Sequence, residues 1–434
     1  MGKNMKKTIK LILLSVITLS FVLYCFAPSA FASEEVETYS PNIIMIEAST
    51  GKVVYEKDGY APVPPASTTK VMTALLTLEN CQLTDTAKVS HQAIYTVPVG
   101  YTHAYLVEGE VLTIDQLLHI LLIPSANDAA NVLAEHVAGS TSSFATMMNT
   151  RATELGCQNT NFVNANGIQA ENHYSSAYDL AIIAREAMKN ETFRKIVSTT
   201  SYTLPSTNLY PTADRYFKNT NQLILKDDRD SVDNYYYEYA TGIKTGYTAA
   251  AGECIIASAE KDGIEYILVV LGAEKTENGL SARFIDCKNL FNYAFENYKL
   301  YPITEESSVL KQVKISKAGL FDHNLDLIVQ DKITLVLKNS TDTSTITPTV
   351  DITSDLTAPI TKNSIIGTIT YEVDGNTYTS NLLASRDIAE ANFFNTILPF
   401  IFIILILFLL YRLTRTKKKK TKKKGKKKDS YIYW

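Results

Sequence analysis

Residues 65–70 read Pro65-Ala66-Ser67-Thr68-Thr69-Lys70 and lead straight into the apolar run VMTALLTLE, which ends at Glu79. A serine and a lysine three apart share one face of a helix. In a first turn, the serine also faces backbone N–H groups that have no intrahelical partner. The pair is either an ordinary cap with a solvated lysine or a nucleophile beside its base. The spacing alone does not choose, because Ser258-Ala259-Glu260-Lys261 and Ser308-Val309-Leu310-Lys311 repeat it.

The catalytic alternative makes further demands. Lysine acts as a base only when neutral, so its ordinary pKa of about 10.4 must fall by roughly three units through burial or nearby positive charge. A second cation close by would help and would also hold an anionic substrate group. A hydrogen-bonding relay should connect the pair to the leaving group. Two later stretches fit. Pro124-Ser125-Ala126-Asn127 follows the apolar run LLHILLI at a predicted helix start, where its plain reading is a capping serine. Lys244-Thr245-Gly246 lies in YATGIKTGYT, a predicted strand, where its plain reading is a solvent-facing lysine. Ser206-Thr207-Asn208 shows that S-x-N also recurs by chance. Taken in order, S-x-x-K, S-x-N and K-T-G form the set used by penicillin-interacting serine enzymes.

The surrounding pattern gives the architecture. NIIMIEASTGKVVYEKDG reads as a hairpin. Helical period runs over Thr69 to Glu79, Leu112 to His119, Ala126 to His136, Phe144 to Leu155 and Ala177 to Lys189. Strands return with YATGIKTGYT, GECIIASAEKDG and IEYILVVLGA, and Ser281 to Tyr298 reads as a closing helix. The order predicts an α+β domain over about residues 38–298. From 302 to about 388 the chain breaks into short β runs, with a hairpin turn at Val373-Asp374-Gly375-Asn376, and predicts a small all-β sandwich.

Charge is segregated. The whole chain has 42 Lys and Arg against 45 Asp and Glu. Four of the lysines lie in the first 32 residues, and ten lysines, two arginines and one aspartate lie from Arg412 onward. Setting these aside leaves 26 basic against 44 acidic residues, near −18, which argues against nucleic-acid binding by the body. Lys3, Lys6, Lys7 and Lys10 precede LILLSVITLSFVLYCFA, and Ala30-Phe31-Ala32 then offers a small-x-small site. Residues 1–32 therefore read as a signal peptide. Residues 393–411, including ILPFIFIILILFLLY, are long enough to cross a membrane, and the lysine-rich segment 412–434 follows at once. Lysines just past a span mark the cytoplasmic side, so the body is expected outside and the tail inside. The cysteines beyond the signal, Cys81, Cys157, Cys254 and Cys287, show no C-x-x-C pair and read as free thiols. The six histidines form no paired-ligand spacing, so no metal site is expected.

The chain resembles the low-molecular-weight penicillin-binding proteins, the serine-type D-alanyl-D-alanine carboxypeptidases, over about residues 40–390. Beyond the three motifs the resemblance rests on IEASTGKVVYEKDGYAPVPPASTTKVMTAL, LLIPSANDAANVLAEH, LGCQNTNFVNANGI, HYSSAYDLAIIAREAM, NTNQLI, and VVLGAE followed by RFIDCKNLFNYAF. It implies an antiparallel sheet flanked by helices, a second small β domain and a membrane attachment. It implies that Ser67 attacks the carbonyl between two terminal D-alanines of a peptidoglycan stem peptide and that Lys70 takes its proton. Ser125 and Asn127 would relay protons and hold the substrate backbone. Lys244 would raise the local potential, Thr245 would face the terminal carboxylate, and Arg283 would lie near it. The N–H groups of Ser67 and Tyr247, the latter following Gly246, would form the oxyanion hole. No cofactor is implied, and β-lactams would acylate Ser67.

Several positions depart from the family. Ala126 stands where several members have glycine, Thr220 where some carry arginine, and Asn166 near where many have Pro-x-Gly. His173 fits the pattern and reads equally as a structural histidine. The run Tyr235 to Tyr239 could stack on substrate or pack as a surface loop. A class A β-lactamase shares the motif set but needs E-x-x-x-N, and at Glu154 the last position is Gln158. A β-lactam sensor would need a signalling domain, where this chain has a lysine-rich tail.

Overall fold

The computed structural model describes residues 36–425 apart from 213 and 227–233, with side chains described up to 415. The expected signal peptide and the last residues of the tail lie outside the described residues. The centre of the body is a five-stranded antiparallel sheet in the order Val53–Lys57, Asn42–Glu47, Ile264–Ala273, Gly252–Lys261, Ala240–Thr248. The first hairpin and the last three strands are far apart in sequence, so the sheet closes the domain on itself.

The middle strands are apolar without alternation because both faces are covered. Ile44 pairs with Val269, and both join the large core shared with the helical block. One residue along, Ile43 pairs with Val270 on the opposite face. That face is covered by the helix Ala282–Asn297, whose Phe295 ring meets Tyr266 at 5.1 Å between centroids. Tyr235 and Tyr237 pack on the same helix, against Phe284 at 4.9 Å and Phe291 at 5.8 Å. The tyrosine run is therefore packing, not a substrate platform, at these two positions.

The helical block contains Lys70–Asn80, Ile114–Leu122, Asn127–Ala138, Thr141–Glu154 and Ala177–Ala187. The expected helix from Leu112 begins later. Thr113 caps it with a full capping box to Gln116, and Val111–Thr113 pairs as a short strand with Thr86–Lys88. Lys70–Asn80 is buried on all sides from Lys70 through Thr77, so its lysine sits inside the protein.

The β domain is a sandwich. One sheet pairs Tyr298–Thr304 with Ile333–Lys338. The other runs in the order Val309–Lys314, Asn324–Val329, Asn376–Ala384, Ile365–Val373, Thr349–Ile352. Leu325, Leu327, Leu335, Leu337, Ile369 and Leu382 fill the space between them. The first strand starts at Tyr298, ahead of the compositional boundary at 302, because the helix Ala282–Asn297 runs directly into it. The expected hairpin turn is present, with Asp374 and Gly375 both at positive φ, 50° and 76°. Lys52, from the first hairpin of the body, reaches Asp374 at 2.6 Å and donates to the Val336 carbonyl at 3.2 Å.

After the sandwich, a π-helical turn at Phe393–Ile397 opens into the helix Leu398–Gly425. Phe393–Arg415 is long and apolar enough to cross a membrane. The described cysteines are all free.

Candidate active site

Ser67 sits in a 3₁₀ turn, Ala66–Thr69, that leads into the helix Lys70–Asn80. Ala66 holds a positive φ of 49°, a strained setting for a residue with a side chain. The turn is clamped from several sides. The Thr68 hydroxyl donates to the Pro65 carbonyl at 2.6 Å and the Thr69 hydroxyl to the Ala66 carbonyl at 2.8 Å. His173 locks Thr69. Its Nδ1 accepts from the Val163 N–H at 2.9 Å, which leaves Nε2 to carry the proton toward the Thr69 oxygen at 3.0 Å. Burial, and next the Lys70 charge, push the His173 pKa down to about 4, so it stays neutral in this role.

Gly167 packs against the same turn. A Cβ there would lie 1.9 Å from the Ala66 carbonyl oxygen, and its φ of +82° favours glycine. Gly167→Ala is expected to destabilise the protein by at least about 3 kcal/mol, read as a fall in thermal midpoint, because sterics and backbone conformation both oppose the methyl.

Lys70 is fully buried, and its Nζ has three partners. It lies 2.8 Å from Ser67 Oγ, 2.7 Å from Asn127 Oδ1 and 2.6 Å from the Asn166 carbonyl. Asn127 and Asn166 present acceptors that can only receive a proton. A neutral amine has two hydrogens and one lone pair. Its two hydrogens would satisfy those acceptors and leave the lone pair for the Ser67 hydroxyl, whereas an ammonium donates to all three partners. Burial is the first cause that pulls the Lys70 pKa well below its ordinary value, and the charge of Lys244 is the second; Asp128 opposes them. That direction favours the neutral amine, the form a base must take.

Asn127 is aimed by its own amide, which donates to the Thr102 carbonyl at 3.0 Å, so the oxygen must point at Lys70. The loop carrying Thr102 is held by Asp128, which accepts from the Ala104 and Leu106 N–H groups. Asn166 is fixed through its side chain, which donates to Asn131 Oδ1 at 3.0 Å and accepts from the Ile168 N–H at 2.9 Å. Ser125 stands just before this helix, 6% exposed, with a positive φ of 71°.

The strand Ala240–Thr248 closes the other wall. Gly246 packs directly on the turn that carries Ser67: a Cβ there would be 2.8 Å from the Ser67 nitrogen. Lys244 is buried and donates to the Thr245 carbonyl at 2.8 Å. Burial, and next Arg283, push its pKa down to about 7. The Thr245 and Thr220 hydroxyls meet at 2.6 Å. Arg283 lies behind the strand, donating to the Gly246 carbonyl at 2.9 Å and the Cys254 carbonyl at 3.1 Å. It bears on the cleft through the strand. Tyr247 is 66% exposed at the rim.

The three sequence motifs therefore converge on one wall-to-wall cleft. The chain matches the model of the D-alanyl-D-alanine carboxypeptidase family, Peptidase S11, over residues 29–275. This chain belongs to that family. Residues 295–390 match the C-terminal domain of penicillin-binding protein 5. The D-alanyl-D-alanine carboxypeptidase DacF of Bacillus subtilis is 32% identical over 397 residues, covering 88% of this chain and 95% of the relative. DacC of Escherichia coli is 29% identical over 411 residues, covering 88% and 93%. Among solved structures, a peptidoglycan synthesis regulatory factor, PBP3, from Streptococcus pneumoniae aligns with a TM-score of 0.68 at 26% identity, over 81% of this chain and 100% of that one. The burial of Lys70 and its 2.8 Å contact with Ser67 Oγ are at odds with a solvated lysine. Sequence reasoning did not find the Asn166 carbonyl or the Thr102 carbonyl; every residue carries a carbonyl, so neither has a signature in residue type.

Proposed function

We propose that this chain is a membrane-anchored serine D-Ala-D-Ala carboxypeptidase that trims peptidoglycan stem peptides through an acyl-enzyme on Ser67. The observation that carries the assignment is the contact of the buried Lys70 amine with Ser67 Oγ at 2.8 Å. Lys70 takes the Ser67 proton as Oγ attacks the carbonyl of the penultimate D-alanine. The developing oxyanion lies between the N–H groups of Ser67 and Tyr247, each donor contributing about 3–4 kcal/mol to the barrier. The tetrahedral centre collapses, the proton reaches the leaving amine by way of Ser125, and D-alanine departs. Water then attacks the ester with Lys70 again as base, the acyl–Oγ bond breaks as Lys70 returns that proton to Ser67 Oγ, and the shortened peptide is released. Thr245 and Lys244 hold the terminal carboxylate, and Arg283 adds positive potential from behind. Asn127 supports Lys70 and the substrate backbone.

A β-lactam offers the same carbonyl and acylates Ser67. Among the described residues no carboxylate hydrogen-bonds Ser67, Lys70 or Ser125, which supports slow deacylation over rapid lactam turnover. The body, from about 38 to 298, and the sandwich, from about 302 to 388, sit on the outer side of the membrane. The span 393–411 and the tail 412–434 hold them there, an orientation supported by the lysines after the span.

Mass spectrometry of the purified protein tests the assignment. We expect loss of one D-alanine from a D-Ala-D-Ala stem peptide and one penicillin adduct, located on Ser67. Ser67→Ala should lose both; an adduct that survives it would place the nucleophile elsewhere.

A second expectation concerns pH. The productive state has Lys70 neutral and Lys244 charged. Burial and the charge of Lys244 hold the Lys70 pKa well below its ordinary value, and burial and Arg283 bring that of Lys244 down to about 7. As pH rises through about 7, the free enzyme loses the cation that meets the carboxylate, so kcat/KM for the peptide should fall. A stem peptide ending in an amide has no charge to meet and should show no such fall. Parallel fall for both peptides would assign the limb to another group.

A further inference from the structure

We propose that the turn 319–322 of the β domain is a second membrane contact, with the Phe321 side chain seated at the headgroup–acyl boundary beside the helix Phe393–Arg415. It rests on the reading of that helix as a membrane span.

The turn is tied to the base of the helix by backbone. The Ala391 N–H donates to the Lys317 carbonyl at 2.7 Å, and the Leu320 N–H donates to the Asn395 carbonyl at 3.1 Å. The approach is close: a Cβ on Gly319 would lie 2.9 Å from Asn395 Cγ. The turn is closed by the Asp322 N–H donating to the Gly319 carbonyl at 2.9 Å. Its tip carries Phe321, which is 69% exposed although it is among the largest apolar side chains. The apolar span begins at Phe393, two residues before the Asn395 that the turn grips. The tip is therefore fixed at the height where the chain passes from water into hydrocarbon. An aromatic ring held there gains apolar burial that the sandwich does not give it.

The chemistry of the contact is apolar. Asp322, the charged residue next to the ring, is paired with Arg386 at 2.6 Å. Lys317 and Glu390 are both exposed at the same base and oppose each other in sign. The contact should thus be indifferent to anionic lipid and to salt. Its effect is to hold the β domain at two points, so that the sandwich cannot swivel freely on a single helix.

The full-length protein in vesicles provides the test. The one tryptophan of the chain, Trp434, is replaced by phenylalanine, and Phe321→Trp then supplies a single indole. A second chain carries Phe402→Trp instead, inside the span. Both are reconstituted in zwitterionic phosphatidylcholine brominated either high or low on the acyl chain. We expect the Phe321→Trp emission to fall about twofold with bromine placed high and to shift to the blue, unchanged by added salt. The Phe402→Trp emission should fall most with bromine placed low. Quenching of Phe402→Trp with unchanged emission from Phe321→Trp overturns the turn contact and leaves the span standing. Absence of quenching in both chains removes the span and the contact together.

Discussion

Replacing Lys70 with methionine is expected to slow acylation of Ser67 by penicillin about a thousand- to ten-thousandfold, the range for removing a general base. Methionine keeps the length and the apolar stem, so the helix Lys70–Asn80 should retain its packing. It leaves the Asn127 oxygen and the Asn166 carbonyl without a donor, at about 1–3 kcal/mol each. Removing a buried amine offsets part of this, so the thermal midpoint should move far less than the rate. Lys70→Arg separates base from charge. Guanidinium supplies a cation and donors but does not give up a proton in a protein. It should fall as far as methionine. An arginine variant that kept a tenth of the acylation rate would show that positive charge, not proton acceptance, is what Ser67 needs. The measurement is the rate of adduct formation with a fluorescent penicillin, alongside a thermal melt.

The three-partner environment of Lys70 also marks what residue types disclose. The grouping of Ser67, Asn127 and Lys244 around Lys70 was legible because each belongs to a short motif of particular side chains. One of the three partners of Lys70 is a backbone carbonyl, from Asn166, and the sequence offers only an asparagine there. Arg283 was expected near the substrate carboxylate; its guanidinium donates to the Gly246 and Cys254 carbonyls, partners that spacing does not encode. The main sheet and the long helices followed from period. The helices His91–Tyr95 and Glu191–Val197 did not, because five and seven residues hold too few turns to show one. The strand pairs Thr86–Lys88 with Val111–Thr113 and Ser201–Leu204 with Arg215–Lys218 are likewise too short to alternate visibly. The start of the sandwich at Tyr298 was hidden for a different reason: no polar linker separates it from the preceding helix.

Gly246→Ala is expected to cost about a hundred- to a thousandfold in acylation, the effect of losing one oxyanion donor. The argument is one of approach. The new methyl would stand 2.8 Å from the Ser67 nitrogen, 3.1 Å from Ala66 Cβ and 3.2 Å from the Thr68 nitrogen. Real Cβ atoms do not come that close, so the strand Ala240–Thr248 and the turn Ala66–Thr69 must part. The turn cannot yield easily, because Gly167 and His173 hold it from the other side. The strand must therefore move, and it carries the Tyr247 N–H with it. Gly246 differs from Gly167 in that its φ lies outside the left-handed region, so alanine brings no backbone strain there. The loss should appear in the acylation rate, with a smaller change in the thermal midpoint than Gly167→Ala produces. Because Lys70 and Ser67 stay in hydrogen-bond contact, the pH dependence of acylation should keep its shape while its height falls. A Gly246→Ala protein that acylated at the unmodified rate would show that the oxyanion is held by groups other than the N–H donors of Ser67 and Tyr247.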